Sequence, residues 1–135
     1  MKSEFPVTVE FPVHWGEMDS LGHVNNARLF TWFESARIAC ADRIGLLATP
    51  GEGPILATTT CDFLAPIHYP ADIVVGVRIT KVGTTSLAME YAAWRKGAPE
   101  APYARGSSVI VYVRYATGAK LAIPDAMRAS IAAIV

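Results

Sequence analysis

One long amphipathic segment, residues 25–47, constrains the fold of this chain more than any other feature. Its apolar residues recur every three or four positions, which is typical of a helix with one buried face. Asn25 or Asn26 is suited to be the N-cap residue of this helix, and Gly45 is suited to end it. A helix of about 19 residues rises ~28 Å, which is enough to cross a small domain. The apolar positions are Leu29, Phe33, Ala36, Cys40, Ile44 and Leu47, with Phe30 and Trp32 widening the stripe.

The remainder of the chain alternates apolar and polar residues in the manner of β-strands. Residues 8–14 form a predicted first strand, and Pro12 favours an edge position for it. Four more strands follow the helix, at residues 55–65, 73–80, 87–94 and 107–115, and a short helix follows Pro124. Successive strands joined by short turns pair antiparallel. The sequence therefore predicts an α+β fold in which one antiparallel sheet covers the long helix.

Length and composition exclude several classes of protein. The 135 residues are 52% apolar and 18% charged with zero formal net charge, so we expect a single globular domain over residues 1–135. A neutral chain is not expected to bind nucleic acid. No apolar run reaches the ~20 residues that span a bilayer, and the first ten residues lack a signal peptide pattern, which predicts a cytoplasmic protein. Cys40 and Cys61 fit no metal-binding spacing, so both are predicted to be reduced thiols with no metal site.

A polar, glycine-broken loop, residues 14–26, leads directly into the long helix. Asp19 in this loop can act as a nucleophile or as a general base, or it can only cap its own turn. The open N-terminus of a helix offers unpaired N–H groups and a partial positive charge. The N–H of Asn26 or its neighbour is therefore a candidate donor to a developing oxyanion, with plain helix capping as the alternative for Asn25 and Asn26.

This loop carries a family resemblance. It reads Trp-Gly-Glu-Met-Asp-Ser-Leu-Gly-His-Val-Asn-Asn and is followed by an aromatic-rich helix with Glu34 and Arg37. The pattern resembles the motif Asp-x-Asp-x-x-Gly-His-Val-Asn-Asn of hotdog-fold acyl-CoA thioesterases of the 4-hydroxybenzoyl-CoA thioesterase type. Two positions depart from it: Glu17 replaces the usual Asp, and Leu29 stands where many members have Tyr.

The resemblance implies a hotdog fold, in which a five-stranded antiparallel sheet wraps around one long central helix. It implies hydrolysis of an acyl-CoA thioester to a free acid and coenzyme A, with no cofactor because coenzyme A is part of the substrate. It also implies a homodimer or homotetramer with active sites at the dimer interface. In this reading Asp19, His23 and Asn26 are the catalytic residues.

The same resemblance suggests which residues contact the substrate. The predicted set comprises Asn25, Leu29, Phe33, Thr58, Thr59, Thr60, Gly83, Thr84 and Ser86, the last three in the turn of residues 82–86. Candidate phosphate partners are Arg78, Lys81, Arg95 and Arg105, with a solvated surface charge as the alternative for each. Glu17 either raises the pKa of Asp19 as a nearby like charge or is a solvated loop residue. Glu34 and Arg37 are expected to form a structural pair, and His14 and His68 are assigned no role.

Two other functions remain open at this point. An acyl-CoA hydratase or dehydratase on the same fold would use Asp19 and His23 as an acid/base pair over two adjacent carbons. A non-catalytic acyl-CoA-binding module would bind the same ligand without cleaving it. Release of free thiol separates the thioesterase from both alternatives.

Overall fold

A computed structural model describes residues 4–135; residues 1–3 of the predicted N-terminal pattern lie outside the described part. In chain order the elements are β1 (Val7–Pro12), a short 3-10 turn (Trp15–Glu17), α1 (Ala27–Arg43), β2 (Glu52–Phe63), β3 (Asp72–Val82), β4 (Ser86–Arg95), β5 (Ala104–Arg114) and α2 (Asp125–Ile134). The strands form one antiparallel sheet in the order β1-β3-β4-β5-β2. The predicted α+β class and the five-stranded antiparallel sheet are confirmed, and β1 is an edge strand as Pro12 indicated.

Helix α1 buries one side against the sheet. Phe33 is fully buried and its ring stacks on Tyr91 of β4, with centroids 4.9 Å apart. Gly106 of β5 makes room for this ring, since a Cβ there would meet Phe33 and the carbonyl oxygen of Thr60. Trp32 packs against Phe11 of β1 at 5.4 Å. Each such aromatic side chain contributes roughly 1.5–3 kcal/mol through burial, so α1 is firmly seated on the sheet.

The end of α1 differs from the sequence prediction. The helix has 17 residues and stops at Arg43, because Gly45 adopts a positive φ of 81° that turns the chain. Leu46 consequently enters the core at 1% exposure, while Leu47, which was predicted to be buried, is 40% exposed. The predicted apolar stripe is therefore wrong at its last position, where Leu46 is the buried residue and Leu47 is not.

Strand β2 occupies the second edge of the sheet. It begins at Glu52, so residues predicted to be a loop are paired with β5, and Pro54 is tolerated because an edge strand need not donate on both sides. Exposed apolar side chains lie on β2, on the residue that follows it and on α1, where Phe30 contacts Phe63. The large apolar side chains left exposed there are Phe30, Ile38, Ile55, Leu56, Phe63 and Leu64. Within residues 4–135, no helix is long and apolar enough to cross a membrane.

Candidate active site

The loop that precedes α1 is a small, well-bonded hairpin. Met18 and Val24 form a bridge, and the N–H of Asp19 donates to the carbonyl oxygen of His23 at 2.7 Å. The turn between them closes at Gly22, whose φ of 85° favours glycine. The N–H of Val24 donates to Ile67 at 2.8 Å and thereby fixes the hairpin to the segment between β2 and β3. The loop is thus held in one position beside the start of α1.

The carboxylate of Asp19 uses one oxygen to hold this turn. Its Oδ1 accepts the N–H of Leu21 at 2.9 Å and the N–H of His23 at 3.3 Å. Its Oδ2 accepts no hydrogen bond from the described residues. The turn-capping role is therefore present, and it leaves the second oxygen available for chemistry.

The first turn of α1 presents a free backbone donor. Asn25 uses its side-chain oxygen to accept the N–H of Ala27 at 3.0 Å, so this side chain caps the helix. Asn26 is the N-cap residue, and its carbonyl accepts the N–H of Leu29 at 3.2 Å. No acceptor within residues 4–135 takes the N–H of Asn26 itself. That N–H can donate to an external oxygen, assisted by the positive end of the helix.

A cleft of about 140 Å³ joins these groups. Asp19, His23, Asn26 and Leu29 all line it, together with an apolar wall of Leu21, Val24, Phe63, Ala65, Pro66, Ile67 and Tyr103. A wider groove of about 540 Å³ reaches Asp19 from its other side and is lined by Trp15, Gly16, Met18, Ser20, Gly22 and Tyr69. Asp19 thus lines both the cleft and the groove. An extended substrate that occupied both would have its middle beside this carboxylate.

His23 has a neighbour that the sequence did not indicate. Its ring lies edge-on to the ring of His68, with centroids 5.0 Å apart. The two residues belong to segments far apart in sequence, and a hydrogen bond between their neighbours Val24 and Ile67 joins these segments. No local pattern around His68 could have revealed this contact.

Not all of the predicted substrate contacts meet in one chain. Phe33 is buried in the core against Tyr91 and does not line the cleft. Thr58, Thr59 and Thr60 lie in mid-strand on the β2 edge, opposite Val109, Ser108 and Ser107. Thr60 shares a hydrogen bond of 2.6 Å with Ser107, and the Thr59 hydroxyl is buried with no partner among the residues that the structure describes.

The turn with Gly83, Thr84 and Ser86 lies at the opposite end of the sheet from Asp19. Strand β3 begins at Asp72, beside Pro12 and the Asp19 loop, and it ends at Val82, where the turn starts. Arg128 of α2 holds the turn by donating to the carbonyl oxygens of Gly83 at 2.7 Å and Thr84 at 3.3 Å. Within a single chain this turn and Asp19 cannot touch the same thioester.

Comparison with known proteins decides the family. Residues 13–131 match the Thioesterase-like superfamily. The chain belongs to this superfamily. It is similar to the solved structure of the PA2801 protein of Pseudomonas aeruginosa, to which thioesterase function has been ascribed, with 36% identity, a TM-score of 0.86, and coverage of 94% of this chain and 98% of that one.

Two further relatives extend the comparison of this thioesterase-like chain. A thioesterase from Thermus thermophilus, solved in complex with coenzyme A and zinc, is 33% identical with a TM-score of 0.82, over 96% of this chain and 94% of that one. The uncharacterized protein YsmA of Bacillus subtilis is 26% identical over 91 residues, which are 67% of this chain. The match spans 62% of the length of YsmA.

Glu17 lies largely buried between the loop and α1. Its side chain is only 13% exposed, so the interpretation as a solvated loop residue is wrong. Its Oε2 accepts the indole N–H of Trp32 at 2.9 Å, and its Oε1 accepts the backbone N–H of His14 at 2.7 Å. In this thioesterase-like fold Glu17 therefore links the loop to α1.

The charged candidates outside the loop differ in burial. Arg37 is buried, contacts Glu34 at 3.8 Å and donates to the Tyr91 hydroxyl at 3.4 Å, so the expected structural pair is confirmed. Arg78 is bound to Glu90 at 2.6 Å and lies over the ring of Phe5. Lys81, Arg95 and Arg105 are exposed.

Both cysteines are free thiols, Cys40 buried and Cys61 partly buried. Burial raises the pKa of the Cys40 thiol to about 11, with nearby Arg43 acting weakly in the opposite direction. Burial, with a smaller contribution from Asp62, raises the pKa of Cys61 to about 11. Neither thiol is appreciably ionised near neutral pH, so neither is a candidate nucleophile. Cys61 is half-buried on β2 and packs against the edge of the core.

Proposed function

We propose that this chain is an acyl-CoA thioesterase of the hotdog fold and of the 4-hydroxybenzoyl-CoA thioesterase type. It hydrolyses an acyl-CoA thioester to a free carboxylic acid and coenzyme A without a cofactor or metal. The observation that carries the proposal is the shared cleft of Asp19 and Asn26, one with a carboxylate oxygen and the other with an N–H that no described residue engages. Membership in the thioesterase-like superfamily and the coenzyme A complex of the Thermus thermophilus relative support the substrate class.

The proposed mechanism begins with the thioester carbonyl in the cleft. Its oxygen accepts the N–H of Asn26, and the helix dipole favours the negative charge that develops there. In one route Oδ2 of Asp19 attacks the carbonyl carbon, coenzyme A leaves as a thiolate, and water cleaves the resulting anhydride to regenerate the carboxylate. In the other route Asp19 takes a proton from water, which attacks directly. His23 and the turn bonds hold the carboxylate in place.

A dimer through β2 would complete the site. The edge of β2 has unpaired backbone groups and exposed apolar neighbours, which are features of a pairing surface. If two copies pair their β2 strands antiparallel about a twofold axis, the ends of the two sheets are reversed. The turn with Gly83, Thr84 and Ser86 from one copy then lies on the same side as Asp19 of the other. The Thr58, Thr59 and Thr60 segments meet near the axis. On this basis we propose a homodimer, which exists alone or pairs with a second dimer into a tetramer. We also propose that the protein is located in the cytoplasm.

The test is a thiol-release assay over short, long and aromatic acyl-CoAs, with light scattering on the same sample. We expect thiol release from at least one acyl-CoA class and a mass of a dimer or tetramer. Loss of an enoyl-CoA double bond without thiol release would instead identify a hydratase. Tight binding of acyl-CoA with neither reaction would identify a binding module.

A further inference from the structure

We propose that Glu17 and Trp32 form a positioning pair that sets the distance between Asp19 and the N–H of Asn26; the inference rests on the proposed thioesterase function. Their hydrogen bond, from the indole N–H to Oε2 at 2.9 Å, crosses from the loop to the second turn of α1. The loop carries the carboxylate, and the helix carries the oxyanion donor. This bond is therefore a side-chain link between the two halves of the reaction centre.

Glu17 bonds to three parts of the site at once. Besides Trp32, it accepts the backbone N–H of His14 through Oε1 at 2.7 Å, and its carbonyl oxygen accepts the N–H of Asn25 at 2.9 Å. Asn25 directly precedes Asn26 in the chain, and Glu17 lies two residues before Asp19. A shift of Glu17 would thus move the carboxylate and the helix start relative to each other.

Trp32 provides a fixed anchor for this link. It is 4% exposed and packs against Phe11 of β1 at 5.4 Å, so its indole cannot move without disturbing the core. The indole N–H and the carboxylate oxygen are 2.9 Å apart, which is a normal distance for an N–H···O hydrogen bond. Glu17 is longer by one methylene than the Asp that stands at this position in the motif it resembles. That length carries the carboxylate to the indole.

Loss of the link should affect turnover more than binding. The groups that line the cleft all remain, so acyl-CoA can still bind. What changes is the alignment of Asp19 with a carbonyl held by Asn26, and misplacement of a reacting group by about 1 Å can cost as much as a hundredfold in rate. The pH profile should keep its shape, because the reacting carboxylate is still Asp19.

The experiment compares Trp32→Phe, Glu17→Gln and the double variant in the thiol-release assay. Trp32→Phe removes the indole N–H together with part of the side-chain volume, which the control below matches, and Glu17→Gln replaces the carboxylate, which accepts on both oxygens, by an amide with a single acceptor oxygen. We expect each to lower kcat about tenfold with KM within about twofold, and the double variant to lose no more than the worse single, since both substitutions weaken the same link between the loop and α1. The Trp32 indole N–H signal in an NMR spectrum should shift in Glu17→Gln, which reports the bond independently of activity.

Trp94→Phe is the matched control. Trp94 is 3% exposed and packs against Phe5 in an apolar cluster separate from the core that contains Trp32. It should keep kcat within about twofold even if its Tm falls as much as that of Trp32→Phe. Wild-type kcat in Trp32→Phe, an equal loss in Trp94→Phe, or multiplying losses in the double variant would overturn the positioning role. Absence of thiol release by the wild type on every acyl-CoA would overturn the proposed function and this inference with it.

Discussion

The backbone N–H of Leu21 donates to Oδ1 of Asp19 at 2.9 Å. With the N–H of His23 on the same oxygen, this bond makes Asp19 the cap of its own turn. The capping role and the proposed catalytic role depend on different oxygens of one carboxylate. A substitution that preserves one oxygen and changes the other can therefore separate the capping role from the catalytic role.

Asp19→Asn should keep the turn and lose the chemistry. The side-chain oxygen of Asn can still accept from Leu21 and His23, but an amide is neither a base nor a nucleophile at neutral pH. We expect kcat to fall by about 10²–10⁴, with acyl-CoA affinity within a fewfold of wild type. Asp42→Asn, on the exposed side of α1, is the control and should remain fully active. Undiminished thiol release by Asp19→Asn would remove Asp19 from the mechanism.

A substitution that blocks pairing through the edge of β2 should abolish assembly and activity together. Ile55→Lys places a charge on an apolar side chain that is 46% exposed on this strand, so two copies could pair only by burying unpaired charge. We expect light scattering to show a monomer and thiol release to fall at least tenfold. Leu47→Lys, at a 40% exposed position beyond α1, should stay assembled and active. A wild-type protein that is monomeric and fully active would contradict the proposed dimer.

Alkylation of the cysteines should depend steeply on pH. The pKa of Cys61 lies near 11 instead of 9.0, so at pH 8 its thiolate fraction is about a hundredfold lower than for an unperturbed thiol. Higher intrinsic nucleophilicity offsets part of this, which leaves a rate about tenfold slower. The rate should rise about tenfold per pH unit until the pH approaches 11. Mass spectrometry after iodoacetamide treatment measures it, with Cys61 modified before the more deeply buried Cys40; a plateau below pH 9 would contradict the raised pKa.

Gly106→Ala should destabilise the fold. A Cβ at this position would come within 2.6 Å of the Thr60 carbonyl oxygen and would also overlap the ring of Phe33. Because Phe33 is wedged against Tyr91, it cannot move aside cheaply, and we expect a loss of about 1–3 kcal/mol in urea unfolding. Gly16→Ala meets nothing within 4 Å and is the control for stability, with a change under about 0.5 kcal/mol. Equal stability of both variants would show that the Phe33 contact is looser than described.

Periodicity was sufficient to predict the elements but not their ends. The stripe through Leu29 and Cys40 located α1, since one buried helix face repeats in sequence. Its last turn was misjudged, because a single positive φ at Gly45 exchanged the roles of Leu46 and Leu47. The start of β2 was missed since Pro54 indicates a loop, and only a position at the sheet edge makes it compatible with a strand.

The candidate site was predictable only where its residues are close in sequence. Asp19, His23 and Asn26 belong to one hairpin and helix start, so one motif contains them all. The contacts of Glu17 with Trp32 and of His23 with His68 depend on how distant segments pack, which no local pattern encodes. The separation of Gly83 from Asp19 follows from strand register, and register is a property of the whole sheet.

The position of Gly83 and Asp19 at opposite ends of one sheet has a genetic consequence. If each reaction centre takes its loop from one chain and its turn from the other, a twofold dimer contains two centres that share no component. A chain defective only in the loop and a chain defective only in the turn would then combine into a heterodimer with one intact centre and one doubly damaged centre. Two inactive alleles would complement each other and restore part of the activity that neither supports alone.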